Sequence, residues 1–214
     1  MTTPATITAE PVYEQEIDGF GTVRLVPVDP ARDAALLHGW VTEERAHFWG
    51  MGEATVEQVE EIYTHLDSLT THHGYLVLRD GAPVALFQTY DPEADRVSEC
   101  YDARPGDFGV HILVGPAGGK GAPAGGATAP ERGFTANLLT AVIGFVFADP
   151  EHLRIVAEPD ARNARAVARL ERAGFELGPE IVMPEVDLPE VFLPEKRARL
   201  AFLTRSAYEA SRPA

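Results

Sequence analysis

Three features of this 214-residue chain pair residue types with spacings that suit chemistry: a histidine on a short apolar strand, an aspartate after another, and a glycine-rich run that ends in a helix. Residues 110–114 alternate in the strand manner, so Val110, Ile112 and Val114 share one face and His111 looks out with Leu113 on the other. Histidine is the residue type that changes charge near neutral pH, which makes His111 a candidate general base. The plainer reading is a half-buried imidazole bonded to a backbone carbonyl. Asp160 follows the short apolar strand 153–157, where Pro159 holds Glu158 extended. If the two strands lie side by side, Asp160 comes close to His111, where a carboxylate would orient the imidazole or bind a cation. Otherwise it is a turn or cap residue ahead of the helix that Asn163 starts.

A strand feeding a loop that ends at a helix N-terminus offers an anion site, because the first backbone N–H groups of a helix lack internal partners. The common nucleotide motifs fail here. A Walker loop ending at Gly119-Lys120 would need its first glycine where Val114 stands and a hydroxyl residue where Gly121 stands. A dinucleotide fingerprint from Gly119 would need a third glycine at Ala124.

These residues need a scaffold, and the chain supplies regular punctuation for one. Residues 13–17 and 20–28 read as a hairpin about Asp18-Gly19, and 75–78 with 84–90 as another about Asp80-Gly81. Between them, 30–40 reads as a helix begun after Asp29, and Thr55-x-x-Gln58 as a capping box opening a helix to about residue 69. Residues 91–107 form a connection with a short strand near 97–101. The strongly apolar 134–148 is a helix too short to cross a bilayer, ended by Asp149-Pro150. Asn163 caps the helix 164–173, which stops at Gly174. The closing strands are 175–183 and 197–204, separated by the Pro- and Glu-rich 184–195. No repeat or second domain is visible: 1–11 reads as a flexible tail and 12–210 as one domain.

A hydrophobic content of 45% in a chain of this length is enough for a sizeable core. The net charge of −15 argues against binding a nucleic-acid backbone or an anionic membrane and favours a small cationic partner. Cys100 is alone, and the N-terminal residues show no charged-then-apolar signal pattern, so a cytoplasmic location is the expectation. His38, His47, His65, His72 and His73 lack tight ligand spacing with cysteines or carboxylates, and no metal is expected.

The segments His111-Ile-Leu-Val-Gly-Pro, Phe145-Val-Phe-Ala-Asp-Pro, Ile155-Val-Ala-Glu-Pro-Asp-Ala-Arg-Asn and Leu170-Glu-Arg-Ala-Gly-Phe resemble the GNAT acyl-CoA-dependent N-acyltransferases. More narrowly, with His38-Gly-Trp40 and His47-Phe-Trp49, they resemble the branch that acylates hydroxylamines in hydroxamate siderophore synthesis. The resemblance runs from about Thr22 to Arg205. It implies an α/β fold with a mixed, mostly antiparallel central sheet flanked by helices, and acetyl-CoA or succinyl-CoA as co-substrate. It makes His111 and Asp160 catalytic, through the motif Glu158-Pro159-Asp160. Ile112, Val114, Arg132, Gly133, Phe134, Thr135 and Asn163 become cofactor contacts, the last by way of the pantetheine arm. His38, Trp40, His47, Trp49 and Tyr90 become the acceptor pocket, where rings would line an aliphatic chain and face a cation; for Trp40 the alternative is core packing. Many members carry a proton-donating tyrosine where Leu170 stands, a feature the siderophore branch commonly lacks. The loop 115–133 is long for the family; Lys120 within it either reaches a phosphate or is solvated. The implied reaction is acyl transfer to the nitrogen of an N-hydroxylated diamine or lysine, N-hydroxycadaverine first. The rivals are an aminoglycoside N-acetyltransferase and a non-catalytic acyl-CoA-binding domain. The resemblance does not give the oligomeric state.

Overall fold

The computed structural model describes residues 9–116, 131–187 and 192–211. Tertiary contacts divide the chain into two units. The first comprises Met1–Asp67, Gly74–Phe87 and Ile112–Val142; the second comprises Ser68–His73, Gln88–His111 and Ile143–Ala214.

In the first unit, β1 (Tyr13–Ile17) and β2 (Gly21–Pro27) form an antiparallel hairpin, with Tyr13 opposite Leu25. Two helices follow. Pro30 opens α1 (Pro30–Val41), and Asp29 caps it by accepting from the Arg32 N–H at 3.2 Å. The capping box holds at α2 (Val56–Ser68): Thr55 Oγ1 accepts from the Gln58 N–H at 3.2 Å, and the Gln58 side chain accepts from the Thr55 N–H at 2.8 Å. β2 pairs antiparallel with β3 (His72–Arg79), and β3 neighbours β4 (Ala82–Tyr90) across Asp80 and Gly81, whose φ values of 50° and 84° are those a two-residue hairpin turn requires. Leu37, Trp40 and Val41 of α1 and Val59 and Tyr63 of α2 pack with Val26, Leu76, Leu78, Leu86 and Leu113 in one core. Ala9, from the expected tail, packs against it too, while residues 1–8 lie outside the described residues.

The second unit contains most of β5 (Asp107–Val114) and the latter part of α3 (Phe134–Ala148), then β6 (Arg154–Ala157), α4 (Ala164–Arg172), β7 (Glu176–Met183), the two-residue strands β8 (Val186–Asp187) and β9 (Phe192–Leu193), β10 (Lys196–Thr204) and α5 (Arg205–Ser211). Its strand order is β5-β6-β10-β7: β5 and β6 are parallel, and β10 runs antiparallel to both β6 and β7. Its core joins Tyr90, Val97, Val156, Ile181, Met183, Ala198 and Leu200. The fold is a mixed, mostly antiparallel sheet flanked by helices.

Four details depart from the sequence reading. The strand expected near 97–101 is replaced by the short 3-10 turns Pro92–Ala94 and Arg96–Glu99. Asp91 and Asp95 cap them, accepting from the N–H groups of Glu93 and Val97, and this local bonding takes the place of a ladder. β5 begins earlier, at Asp107, because Gly109 interrupts the apolar pattern without interrupting the strand. His111 shares its face with buried Gly109 and Leu113, so that face packs inward. The last departure is α5, which the sequence reading left unassigned.

Candidate active site

The parallel register of β5 and β6 generates the site. Asp107 lies opposite Arg154, Phe108 opposite Ile155, and Gly109 opposite Val156. The Arg154 guanidinium donates to the Asp107 carboxylate at 2.7 and 2.6 Å. These two residues are 47 positions apart in the chain, and so are His111 and Glu158, whose side chains meet through Nε2 and Oε1. One spacing therefore pairs both couples on the same face of adjacent strands. Tyr90 donates its hydroxyl to Glu158 Oε2 at 2.6 Å, and Lys196 Nζ, at the start of β10, stands 3.6 Å from Oε1. The Tyr90 ring is 5.0 Å from the His111 ring and stacks with His72 at 5.8 Å. It fits because Gly109 has no side chain: a Cβ there would lie 2.2 Å from the ring.

The Glu158 side chain is 1% exposed and that of His111 33%. Burial pushes the Glu158 carboxyl upward, but the charges of His111 and Lys196, with the hydrogen bonds from His111 and Tyr90, outweigh it and hold the group at about 2. Glu158 is thus an acceptor of hydrogen bonds, so the neutral imidazole carries its proton on Nε2 and its basic lone pair on Nδ1. The Tyr90 phenol, pushed well above its ordinary value by burial and then by Glu158, stays a donor. A buried carboxylate orients a histidine whose side chain is 33% exposed, an arrangement with the chemistry a general base requires.

Asp160 was expected beside His111, and the carboxylate that meets the imidazole in the structure is that of Glu158. Two residues beyond Gly109 and Val156 the register brings 111 to 158, leaving Asp160 further along. Its carboxylate accepts from the Arg162 N–H and guanidinium at 2.7–2.9 Å, and the hydrogen bonds from Arg162 lead the effects that lower its pKa. These are the contacts of the turn residue in the alternative reading.

Residues 29–183 match the family model described as Acetyltransferase (GNAT) domain. The chain belongs to the GNAT acetyltransferase family. It is similar to N(6)-hydroxylysine O-acetyltransferase from Escherichia coli, 28% identical over 151 residues, which cover 69% of this chain and only 44% of that protein. It is also similar to aminoglycoside N(6')-acetyltransferase type 1 from Klebsiella pneumoniae, 29% identical over 154 residues, with 67% of this chain and 69% of that one covered. Among solved structures, AAC(6')-Ib in complex with paromomycin and acetyl-CoA superposes with a TM-score of 0.69 at 25% identity, covering 89% of this chain and 98% of that one.

The remaining expected residues of this GNAT domain fall as follows. Asn163 caps α4, accepting from the Ala166 N–H at 3.1 Å. Ile112 and Val114 are half-buried, and the Val114 carbonyl accepts from the Arg45 guanidinium at 2.5 Å. Arg132 and Gly133 are exposed and Phe134 and Thr135 half-buried at the start of α3. There Arg79 lies 4.0 Å over the Phe20 ring, meets Glu131 at 2.5 Å, and Phe134 packs edge-on against Phe20. Lys120 lies outside the described residues, which resume at Glu131. Trp40 is core, 4% exposed, and half-buried Trp49 packs on the same core and bonds Tyr63. His38 is half-buried; exposed His47 bonds the Glu44 carbonyl at 2.9 Å. Tyr90 is buried, its hydroxyl directed at Glu158. Leu170 is buried. Among the described residues no group of three His, Cys, Asp or Glu is placed to hold a metal ion, and no helix is long and apolar enough to cross a membrane.

Sequence reasoning missed Glu158, Lys196 and Gly109 as parts of the site. A glycine inside an apolar strand signals close approach of another group and was available for Gly109. Glu158 needed the strand register, and Lys196 the adjacency of β10 to β6.

Proposed function

We propose that this chain moves an acetyl or succinyl group from acyl-CoA to the nitrogen of an N-hydroxylated diamine or lysine, with N-hydroxycadaverine as first acceptor, forming a hydroxamate. The observation that carries the reading is His111 held through Nε2 by buried Glu158 with part of its ring open to an acceptor. A hydroxylamine nitrogen is far less basic than an alkylamine and arrives neutral. The base then has one task, to take the proton released as the nitrogen attacks. His111 Nδ1 takes that proton, and Glu158 stabilises the resulting imidazolium. The thioester supplies the acyl carbon, and the departing sulfur recovers a proton from protonated His111 or from water. With buried Leu170 in place of a tyrosine, these are the donors the reading assigns. The start of α3 suits the pyrophosphate of such a carrier: Arg132 is exposed, and Gly133, at a φ of 84°, has open space where a Cβ would stand. Similarity to the hydroxylysine enzyme supports the acceptor class, and the charge of −15 supports a cationic substrate.

The similarity to aminoglycoside acetyltransferases, with 98% of the AAC(6')-Ib chain covered, favours a second reading in which the acceptor is an aminoglycoside amine. One assay separates the two. Thiol release from acetyl-CoA and succinyl-CoA is followed with N-hydroxycadaverine, N-hydroxylysine, cadaverine and an aminoglycoside, and iron(III) colour reports the hydroxamate. Turnover of a hydroxylamine far above its parent amine is the expected result. Turnover of the aminoglycoside alone would move the assignment to the second reading, and CoA binding without turnover would make the chain a non-catalytic binding domain. His111→Ala is expected to lower kcat/KM by about 10²–10⁴ while the circular-dichroism spectrum stays that of the parent.

A further inference from the structure

Glu158 has to remain an anion through a cycle in which its main partner changes charge. While His111 is protonated, the two neutralise each other. Once His111 is neutral, a fully enclosed carboxylate is left, and such a group takes up a proton or recovers one from its neighbour unless a second cation stays beside it. The titratable groups that act on it come from several elements. β5 brings His111 and β4 brings the uncharged Tyr90 hydroxyl. Asp160, on the segment after β6, is bonded to Arg162, and Asp95, near Tyr90, stands 3.7 Å from His72. β10 brings Lys196, 23% exposed, whose Nζ is 3.6 Å from the same Oε1 that His111 meets. Its charge also acts on Asp160, so one ammonium serves both acids of the Glu-Pro-Asp motif. Strand alternation fixes its direction: Lys196 shares a face with Ala198 and Leu200, which are buried in the core that holds Tyr90 and Val156.

We propose that Lys196 is a positioning residue of the acyl transfer, its ammonium keeping Glu158 anionic whenever His111 is neutral and so fixing the imidazole with its proton on Nε2 and its basic lone pair on Nδ1. The inference rests on the reading of His111 as the base. Without the ammonium, the Glu158–His111 pair holds its proton more tightly, and the base is freed only at higher pH.

The test is the pH profile of kcat/KM, measured by thiol release with the full chain and the best hydroxylamine acceptor, for the parent, Lys196→Met and Lys196→Arg. The ascending limb of Lys196→Met is expected to move up by about half to one pH unit, with Lys196→Arg restoring the parent profile. An unmoved limb in Lys196→Met, or an equal shift in Lys196→Arg, would overturn the proposal. His111→Ala separates this outcome from failure of the underlying reading. If that variant keeps the parent's limb, His111 is not the base; if it removes the limb while Lys196→Met leaves it in place, only the role of Lys196 fails. Should Lys196→Met turn over too slowly, ¹⁵N spectra of histidine-labelled protein read the protonation of the ring directly. The Met variant is expected to keep the His111 ring doubly protonated to higher pH than the parent; equal midpoints would overturn the proposal.

Discussion

Replacing Glu158 by glutamine keeps the size of the side chain and removes its charge. The amide can then donate as well as accept, so the imidazole is no longer held with its proton on Nε2, and the imidazolium loses its counter-charge. With His111 as the proposed base, Glu158→Gln is expected to lower kcat/KM about tenfold to a hundredfold in the thiol-release assay while acceptor KM changes little. At this scale the sequence singled out His111 and expected Asp160 beside it, where the structure has Glu158. His111 was legible because a titratable residue on an apolar strand, just before a glycine-rich run, is a local signal. The choice between Glu158 and Asp160 depends on how two strands 47 residues apart align, and no local pattern carries that. Trp40 went the other way. Its spacing with Leu37 and Val41 is that of a helix face turned to a core, and the structure buries all three together.

Among the elements, β5 is the most sensitive to a small change. Gly109→Ala would drive a methyl group into the Tyr90 ring, which is itself buried and bonded to Glu158. Overpacking of this kind costs about 1–3 kcal/mol, so a lower melting temperature is expected. A fall in kcat/KM is also expected, measured well below the melting transition, because the ring supports the carboxylate. A fall in stability with unchanged kcat/KM would mean that Tyr90 only packs. The helices were legible because their caps and apolar spacing are written within a few residues, as at Asp29, Thr55 and Asn163. The turns after β4 were not, because Asp91 and Asp95 each satisfy a nearby backbone N–H in a stretch whose apolar residues also suit a strand.

For the molecule as a whole, charge sets two expectations. Glu158 sits at about 2 in the folded chain against an ordinary 4.5, so folding favours its ionised form. A lowered carboxyl contributes stability that is complete above about pH 5 and is lost as pH falls toward 2, with a magnitude on the order of 3 kcal/mol. Urea unfolding at stepped pH is expected to show the advantage of the parent over Glu158→Gln shrinking through that window. A constant gap would mean that the carboxylate gains nothing from its partners. The charge of −15 draws cationic acceptors toward the protein, so kcat/KM for a diamine-derived hydroxylamine is expected to fall between low salt and 0.5 M NaCl, and that for an uncharged hydroxylamine to stay level.

The Asp107–Arg154 pair stands at the opposite end of the parallel ladder from His111. It acts as an alignment pin. A parallel pair of strands can slide in steps of two without turning any side chain to the wrong face, and a slip of that size would set His111 against Val156 or Asp160. With Arg154 locked to Asp107, sliding means breaking two charge-assisted hydrogen bonds at the far end. Accuracy at the imidazole is therefore guarded by a salt bridge at the far end of the ladder, and a lineage that lost it would have to find another way to keep the two strands in step.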